Sequence, residues 1–419
     1  MRISTSTIYS SGIASMQQQT ERLLQTQQQI SSGRRILSPA DDPVAAARAL
    51  EISQSQSLNQ QYATSIGAAT DSLALEESTL GAITRLLQDV RDVTVNAGNP
   101  VLSKGDRAVL GNDLRARYQE LLGLANTTDG SGQYMFSGYQ GGTRPFGESA
   151  PGAVVYNGDQ GQRLIQLSSS RRLAVNDAGV DVFQNIRSGN GTFATQAGAA
   201  NTGSAVIDAG TVLDPSKWAA GADYTIKFSV IGAVTTYDII DNAAPNDSLL
   251  TGAAPAAAPY PRTYASGSNI DLKQAGPPAF DFGAQVTIAG SPKDGDSFTV
   301  KTSANQDVFK TIDDLANLLQ NSSGGAALGN GLVSAQRNLD NAMENILKVR
   351  ASAGARLREL DSATLTGEAR GLQYSEELSR LQDLDYAKAA TELTQQQVNL
   401  EAAQKSFAKV AGLSLFNYL

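Results

Sequence analysis

The chain has 419 residues and a net charge of −8. That length allows about two or three domains, and the acidity gives a nucleic-acid role no electrostatic support. It has no cysteine and no histidine. Disulfide frameworks, zinc thiolate sites and Ser-His-Asp or Cys-His triads are therefore excluded, along with the commonest general base.

No apolar run approaches the length of a membrane span. The start, MRISTSTIYSSGIASMQQQ, carries one Arg but no continuous apolar core, so it does not read as a cleaved secretory signal. Composition alone fits a cytoplasmic protein or an exported one that needs no oxidation.

In chain order, the first expected helix runs from about Ser10 to Ser32 and stops at Gly33, a helix-ending glycine. It carries Met16, Leu23 and Ile30, with Leu37 beyond it, one apolar residue at every seventh position. That repeat marks a helix packed lengthwise on other helices. Asp42-Pro43 reads as an N-cap followed by proline at the first helical position, with Asp41 adding negative charge at the helix start. From Val44 a long helix should reach about Asn96, with Leu73, Leu80 and Leu87 seven apart, until Gly98-Asn99-Pro100 ends it. A further helix is expected from Asp106 to about Thr128.

From about 133 to 305, Gly, Pro, Thr, Val and Tyr rise and the helical period fades. Alternating segments at Ala153–Tyr156, Arg163–Leu167, Tyr224–Ile231, Thr235–Ile240, Gln285–Ile288 and Ser297–Lys301 predict short antiparallel strands. Ala253–Pro261 reads as an Ala/Pro linker. Helix returns at Ile312–Leu319. Gly324–Gly331 reads as a loop, and one long helix is expected from Leu332 to about Ala411. Its apolar repeat is Leu365, Leu372, Tyr386, Leu393, Leu400 and Phe407, interrupted by Ser379.

The expected fold class is thus α+β: a long antiparallel helical bundle or coiled coil from both termini with an inserted antiparallel β domain. The expected parts are an N-terminal assembly helix (1–40), two halves of a helical bundle (41–140 and 306–365), the inserted β-rich domain (141–305), and a C-terminal helix with an assembly and chaperone-binding tail (366–419). The second line of each seam is small or polar: Thr20 and Gln27 at the N-terminus, and Ala389, Gln396, Ala403 and Val410 at the C-terminus. Such helices bury too little area to offset an ordering cost of about 1–2 kcal/mol per residue. They should gain their packing among several copies.

The segment Gln29-Ile-Ser-Ser-Gly-Arg-Arg-Ile-Leu-Ser-Pro-Ala-Asp-Asp-Pro43 resembles the N-terminal signature of the flagellin superfamily. The start Met-Arg-Ile-Ser-Thr5 and the Asp41-Asp42-Pro43 ending are similar to its hook–filament junction branch; flagellin itself more often continues Asp-Asp-Ala-Ala-Gly. Gly132-Gln-Tyr-Met-Phe-Ser-Gly-Tyr139, Lys293-Asp-Gly-Asp-Ser-Phe-Thr-Val300 and the apolar end Ala411-Gly-Leu-Ser-Leu-Phe-Asn-Tyr-Leu419 resemble the same branch.

The resemblance covers about residues 1–145 and 290–419. It implies an extracellular structural subunit at the hook–filament junction, exported by the flagellar type III apparatus without a cleaved signal. The implied partners are the first hook-associated protein, flagellin, an export chaperone at the C-terminal helix, and further copies in a ring-like layer. The candidate assembly residues are Met16, Leu23, Ile30, Ser31, Ser32, Gly33, Arg35, Asp41, Asp42 and Pro43 at the N-terminus. At the C-terminus they are Leu393, Leu400, Phe407, Val410, Leu413, Phe416 and Leu419.

Bland readings compete with sharper ones. Adjacent Asp41 and Asp42 do not face each other on a helix, so a helix-start role outweighs paired catalytic carboxylates. Asp294-Gly295-Asp296 lacks the further ligands of a calcium loop, so a β-turn is preferred. Gly130-Ser131-Gly132 and Gly324–Gly331 lack the lysine and spacing of phosphate loops. Tyr134, Phe136 and Tyr139, with Phe146, read as an interdomain hinge packing helices onto the β domain rather than as a sugar-binding face. No catalytic, cofactor or metal site is expected. A flagellin-type filament subunit, and a surface-binding or adhesin role for residues 145–300, are the alternatives.

Overall fold

A computed structural model describes residues 5–150, 152–243, 247–252 and 258–412. Among the described residues there are seven α-helices: α1 (Thr5–Ser32), α2 (Pro43–Ala97), α3 (Lys104–Ala125), the short α4 (Gly179–Phe183), α5 (Val308–Asn321), α6 (Gly325–Gln382) and α7 (Tyr386–Gly412). The chain divides into two compact units. A terminal unit comprises Met1–Gly67, Gln166–Arg171 and Asp361–Leu419; a central unit comprises Ala68–Ile165 and Arg172–Leu360. The terminal helices and the middle antiparallel β domain are those expected from the sequence.

In the central unit, α2, α3, α5 and α6 share one core. Leu80, Ile83, Leu87 and Val90 of α2 meet Leu114 and Leu121 of α3, Ile312 and Leu319 of α5, and Leu339 and Ile346 of α6. On both long helices the buried positions alternate by three and four residues, which keeps one face of each inward along its length. The helices α3 and α5 pack tightly at Gly111, where a Cβ would lie 3.0 Å from the Ala316 carbonyl oxygen.

A second core lies between two antiparallel sheets. The five-stranded sheet runs Arg262–Thr263, Val234–Asp241, Asp223–Ile231, Ser297–Thr302, Phe193–Ala197 in spatial order. The other is centred on Phe280–Ala289, flanked by Asn269–Gln274 on one side and by Val206–Ile207 and Thr211–Val212 on the other. Alternation puts Ile226, Phe228, Phe298 and Val300 of one sheet against Ile270, Leu272, Val286 and Ile288 of the other. Asp294-Gly295 is a turn, and the Asp296 carboxylate accepts the N–H groups of Thr202, Gly203 and Lys293. That carboxylate is occupied by the backbone, as a turn role requires. Among the described residues no group of three or more acidic side chains could hold a metal ion.

Two sequence expectations change. The segment Gly324–Gly331 is not a loop, because α6 already begins at Gly325; burial of Leu328 and Leu332 in the helical core overrides the three glycines that oppose helix. The single helix expected from Leu332 to Ala411 is broken at Asp383–Asp385, between α6 and α7. The physical reason is local. Asp385 restarts the helix as an N-cap, its carboxylate accepting the Lys388 N–H at 3.1 Å, while the Leu384 N–H donates to the Gly33 carbonyl instead of continuing a helix.

Candidate assembly surface

The terminal unit is built from two antiparallel helix pairings. In the first, α1 lies against α7. The inward face of α1 is Gly12, Met16, Gln19, Leu23, Thr26 and Ile30; that of α7 is Ala389, Leu393, Gln396, Leu400, Ala403 and Phe407. At one end the Tyr9 and Phe407 rings meet edge to face at 5.7 Å. A Cβ on Gly12 would come within 2.8 Å of the Phe407 ring. At the other end the Tyr386 hydroxyl lies 3.0 Å from where a Gly33 Cβ would be. The seam therefore uses Met16, Leu23 and Ile30 as expected, but its second line is Gln19 and Thr26. Thr20 and Gln27 are exposed, because the face turned to α7 is reached three residues on from Met16 and Leu23, at Gln19 and Thr26, not four. Gln19 and Gln396 each bury a side-chain oxygen that has no hydrogen-bond partner.

In the second pairing, the α1–α2 turn is tied to the α6–α7 break. The Arg35 N–H donates to the Gln382 carbonyl at 2.7 Å, the Leu384 N–H donates to the Gly33 carbonyl at 3.0 Å, and the Arg35 guanidinium reaches the Leu381 carbonyl at 2.9 Å. Gly33 has φ +70°, a conformation L side chains rarely adopt. Within the turn the Asp41 carboxylate accepts the N–H groups of Leu37 and Ser38 and the Gln25 amide. The Ser38 backbone hydrogen bond is the main reason its carboxyl sits below the usual carboxylate range. Asp42 caps α2 by accepting the Ala45 N–H at 3.0 Å, ahead of Pro43. Ser31 and Ser32 close α1, and both are exposed.

Beyond the turn, α2 and α6 are joined by polar contacts. These are Arg48 to Glu377 at 2.7 Å, Gln56 to Ser375 at 3.0 Å, and the Asn59 amide to the Gly367 carbonyl at 2.9 Å.

Leu365 and Leu372, counted by sequence as one stripe with Leu393 and Leu400, are 68% and 64% exposed. A strict seven-residue count drifts by about 20° per heptad on a straight helix, and the inward positions on this part of α6 are Ala363, Gly367, Gly371 and Tyr374. Exposed Leu50, Leu58, Leu24 and Val398 add further uncovered apolar area to the unit. The side chain of Val410, and all of Leu413, Phe416 and Leu419, lie outside the described residues.

The aromatic segment Tyr134–Tyr139 takes a different place from the one expected. Phe136 is fully buried in the helical core of the central unit, edge to face with Phe183 at 5.3 Å. Tyr134 is half-buried and Tyr139 exposed. Phe136 thus packs within the bundle, not as a hinge onto the sheet core, because the chain after Gly138 folds back over α3 and α5 through Phe146, Val182 and Phe183.

Sequence reading missed the contacts that hold the β domain to α6. The Asn330 amide donates to the Ala205 carbonyl, Asn341 to those of Arg187 and Gly189, and Asn345 to those of Asp181 and Val182. Asparagine is a poor helix former. Its recurrence on one face of α6 was the available signal.

Helical ends paired into one unit, with a β-rich segment inserted between them in the chain, define the flagellin type of subunit. The bacterial flagellin N-terminal helical region matches residues 3–141, and the C-terminal helical region matches residues 337–419. The flagellar hook-associated protein 3 of Salmonella typhimurium (strain LT2) is 27% identical over 416 residues, which is 99% of both chains. The solved flagellar hook-associated protein 3 of Legionella pneumophila has a TM-score of 0.70 at 30% identity, covering 79% of this chain and 98% of that one. FlgL of Xanthomonas campestris has a TM-score of 0.68 at 28% identity, covering 78% and 99%. The chain belongs to the flagellar hook-associated protein 3 family of the flagellin superfamily, a family of structural flagellar proteins and not of enzymes.

Proposed function

We propose that this chain is the adaptor that joins hook to filament. On this reading it meets the first hook-associated protein on one side and flagellin on the other. It is exported through the flagellar type III apparatus without a cleaved signal, is guarded by an export chaperone at its C-terminal helix, and assembles with further copies in a ring-like layer. Residues 1–40 and 366–419 are the assembly segments, 41–140 and 306–365 the bundle halves, and 141–305 the inserted domain.

One observation carries this reading: in the α2–α6 pairing of the terminal unit, Leu50, Leu58, Leu365 and Leu372 are exposed while the inward positions include Ala45, Ala49, Gln56 and Asn59 on α2 and Ala363, Gly367 and Gly371 on α6. A helix pair that covers its weak face and uncovers its strong one is suited to neighbours. The relatives' names support the location, since a Legionella pneumophila relative is a flagellar junction protein.

The test is complementation of a strain lacking the gene, with Leu365→Ser and Leu372→Ser together. Secretion into the medium should persist, while filament attachment and motility fall. A pull-down should show the double variant losing the first hook-associated protein or flagellin. Undiminished motility with both leucines replaced, or with residues 391–419 removed, sinks the proposal. Polymerisation of the purified chain alone into long filaments would favour a filament subunit instead.

A further inference from the structure

A cleft of about 740 Å³ in the central unit lies beside the strand Phe193–Ala197, at the edge of the five-stranded sheet. One wall is that strand; the other is built by α5 and α6. The strand is paired on one side only, with Ser297–Thr302. An antiparallel ladder bonds alternate residues. The Gly198 N–H donates to the Ser297 carbonyl and the Ser303 N–H to the Thr192 carbonyl, which makes Ala194 and Gln196 the strand residues bonded to that neighbour. Thr195 and Ala197 therefore turn their N–H and C=O groups the other way. Both residues line the cleft, and among the described residues those backbone groups have no partner. Phe193 is closed off, its N–H donating to the Asn190 side-chain oxygen and its carbonyl accepting the Asn190 N–H.

A bare edge recruits another chain, so folded proteins block or cover it. The other sheet does so: the Arg262 guanidinium takes the Asp271 and Lys273 carbonyls of its edge strand Asn269–Gln274, at 3.3 and 2.8 Å. At Thr195 and Ala197 the edge is instead recessed in a slot. Its helical wall carries small side chains such as Ala327 and Ser334, which leave room for an extended backbone. Charge then selects what enters. The Lys310 ammonium on α5 is spent on Asp314, at 2.8 Å, and Asp307 caps α5 by accepting the Phe309 N–H. Arg337 on α6 also lines the cleft, and among the described residues it has no ion-pair or hydrogen-bond partner. The uncommitted charge of the slot is thus positive.

We propose that this cleft receives an extended acidic segment of a partner protein, which adds as a strand to Phe193–Ala197 and sets a carboxylate against Arg337. Backbone pairing with Thr195 and Ala197 supplies the affinity, and the guanidinium supplies the selection. The five-residue strand spans about 17 Å, which sets the length of the segment it can pair. This docking is independent of the terminal assembly segments, so its failure leaves the hook–filament reading untouched.

The test uses the full chain and a fluorescein-labelled peptide of alternating valine and threonine with one central aspartate, followed by fluorescence anisotropy. The control peptide has lysine in place of the aspartate. Saturable binding is expected, about tenfold tighter for the aspartate peptide. Ala197→Pro removes an outward N–H without breaking a bond to Ser297–Thr302, and should weaken binding about tenfold. Arg337→Glu should reverse the preference between the two peptides. Hydrogen exchange on the wild-type chain should show the Thr195 and Ala197 amides protected by the aspartate peptide, and this decides by itself if Ala197→Pro fails to fold. Absence of saturable binding, equal binding by a folded Ala197→Pro, equal preference for the two peptides, or protection elsewhere than at this strand would each overturn the proposal.

Discussion

Glu76 on α2 is 1% exposed in the central unit. One carboxylate oxygen accepts the Asp177 N–H at 3.0 Å; the other has no partner. Arg356 is committed elsewhere, to the Asp177 carboxylate and the Ala174 carbonyl. Burial is the main cause that pushes the Glu76 carboxyl from 4.5 to about 8; the Asp177 charge adds to it, and Arg356 and Arg163 oppose it. The folded chain therefore keeps a proton that the unfolded chain releases near pH 4.5. In that window the folded state binds more protons, so stability falls as pH rises, by about 1.4 kcal/mol per pH unit. The loss ends near pH 8, after a total approaching about 5 kcal/mol.

Glu76→Gln has the same shape and never ionises. It should cost about 1 kcal/mol at pH 5, where the acid form is intact, and be more stable than wild type by several kcal/mol at pH 9. Calorimetric scans from pH 5 to 9 follow the transition of the central unit, and the two stability curves should cross. Parallel curves would refute the assignment of a proton to Glu76.

Two further predictions concern the terminal unit. Asp42→Ala removes the cap of α2 and should destabilise that unit by about 1 kcal/mol, read as a lower first transition in thermal unfolding followed by circular dichroism. An unchanged midpoint would mean the cap contributes nothing. Gln19→Leu with Gln396→Leu removes two buried, unpartnered oxygens from the α1–α7 seam and should stabilise the pair by about 1–2 kcal/mol. Hydrogen exchange should slow along both helices; unchanged or faster exchange would show that the glutamines do not weaken the seam.

How much of this was legible in sequence depended on the range of the force involved. Gly33, Asp42-Pro43 and the heptad residues Met16, Leu23 and Ile30 act within one or two helical turns, so their spacing announces their roles. Alternation likewise revealed the strands Asp223–Ile231 and Val234–Asp241. The two-residue strands, the break at Asp383–Asp385 and the burial of Phe136 are set by partners far along the chain. No local pattern specifies them. Leu365 and Leu372 show the limit most clearly: their spacing continues the repeat, but the face α6 turns inward there runs through Ala363, Gly367, Gly371 and Tyr374.

The sequence by itself determined what this chain is made to do without. Lacking histidine and cysteine, with apolar heptads at both ends and strands between, it already read as paired helical ends around a β insert, because periodicity and composition are properties of the chain alone. Tertiary structure decided which face of each helix is spent inside and which is left exposed. It placed Gln19 and Gln396 in the seam, tied Arg35 to the α6–α7 break, set Arg337 in one cleft with the strand Phe193–Ala197, and buried Glu76 without a cation of its own. Each of these depends on residues tens to hundreds of positions apart, and only folding sets the distances between them.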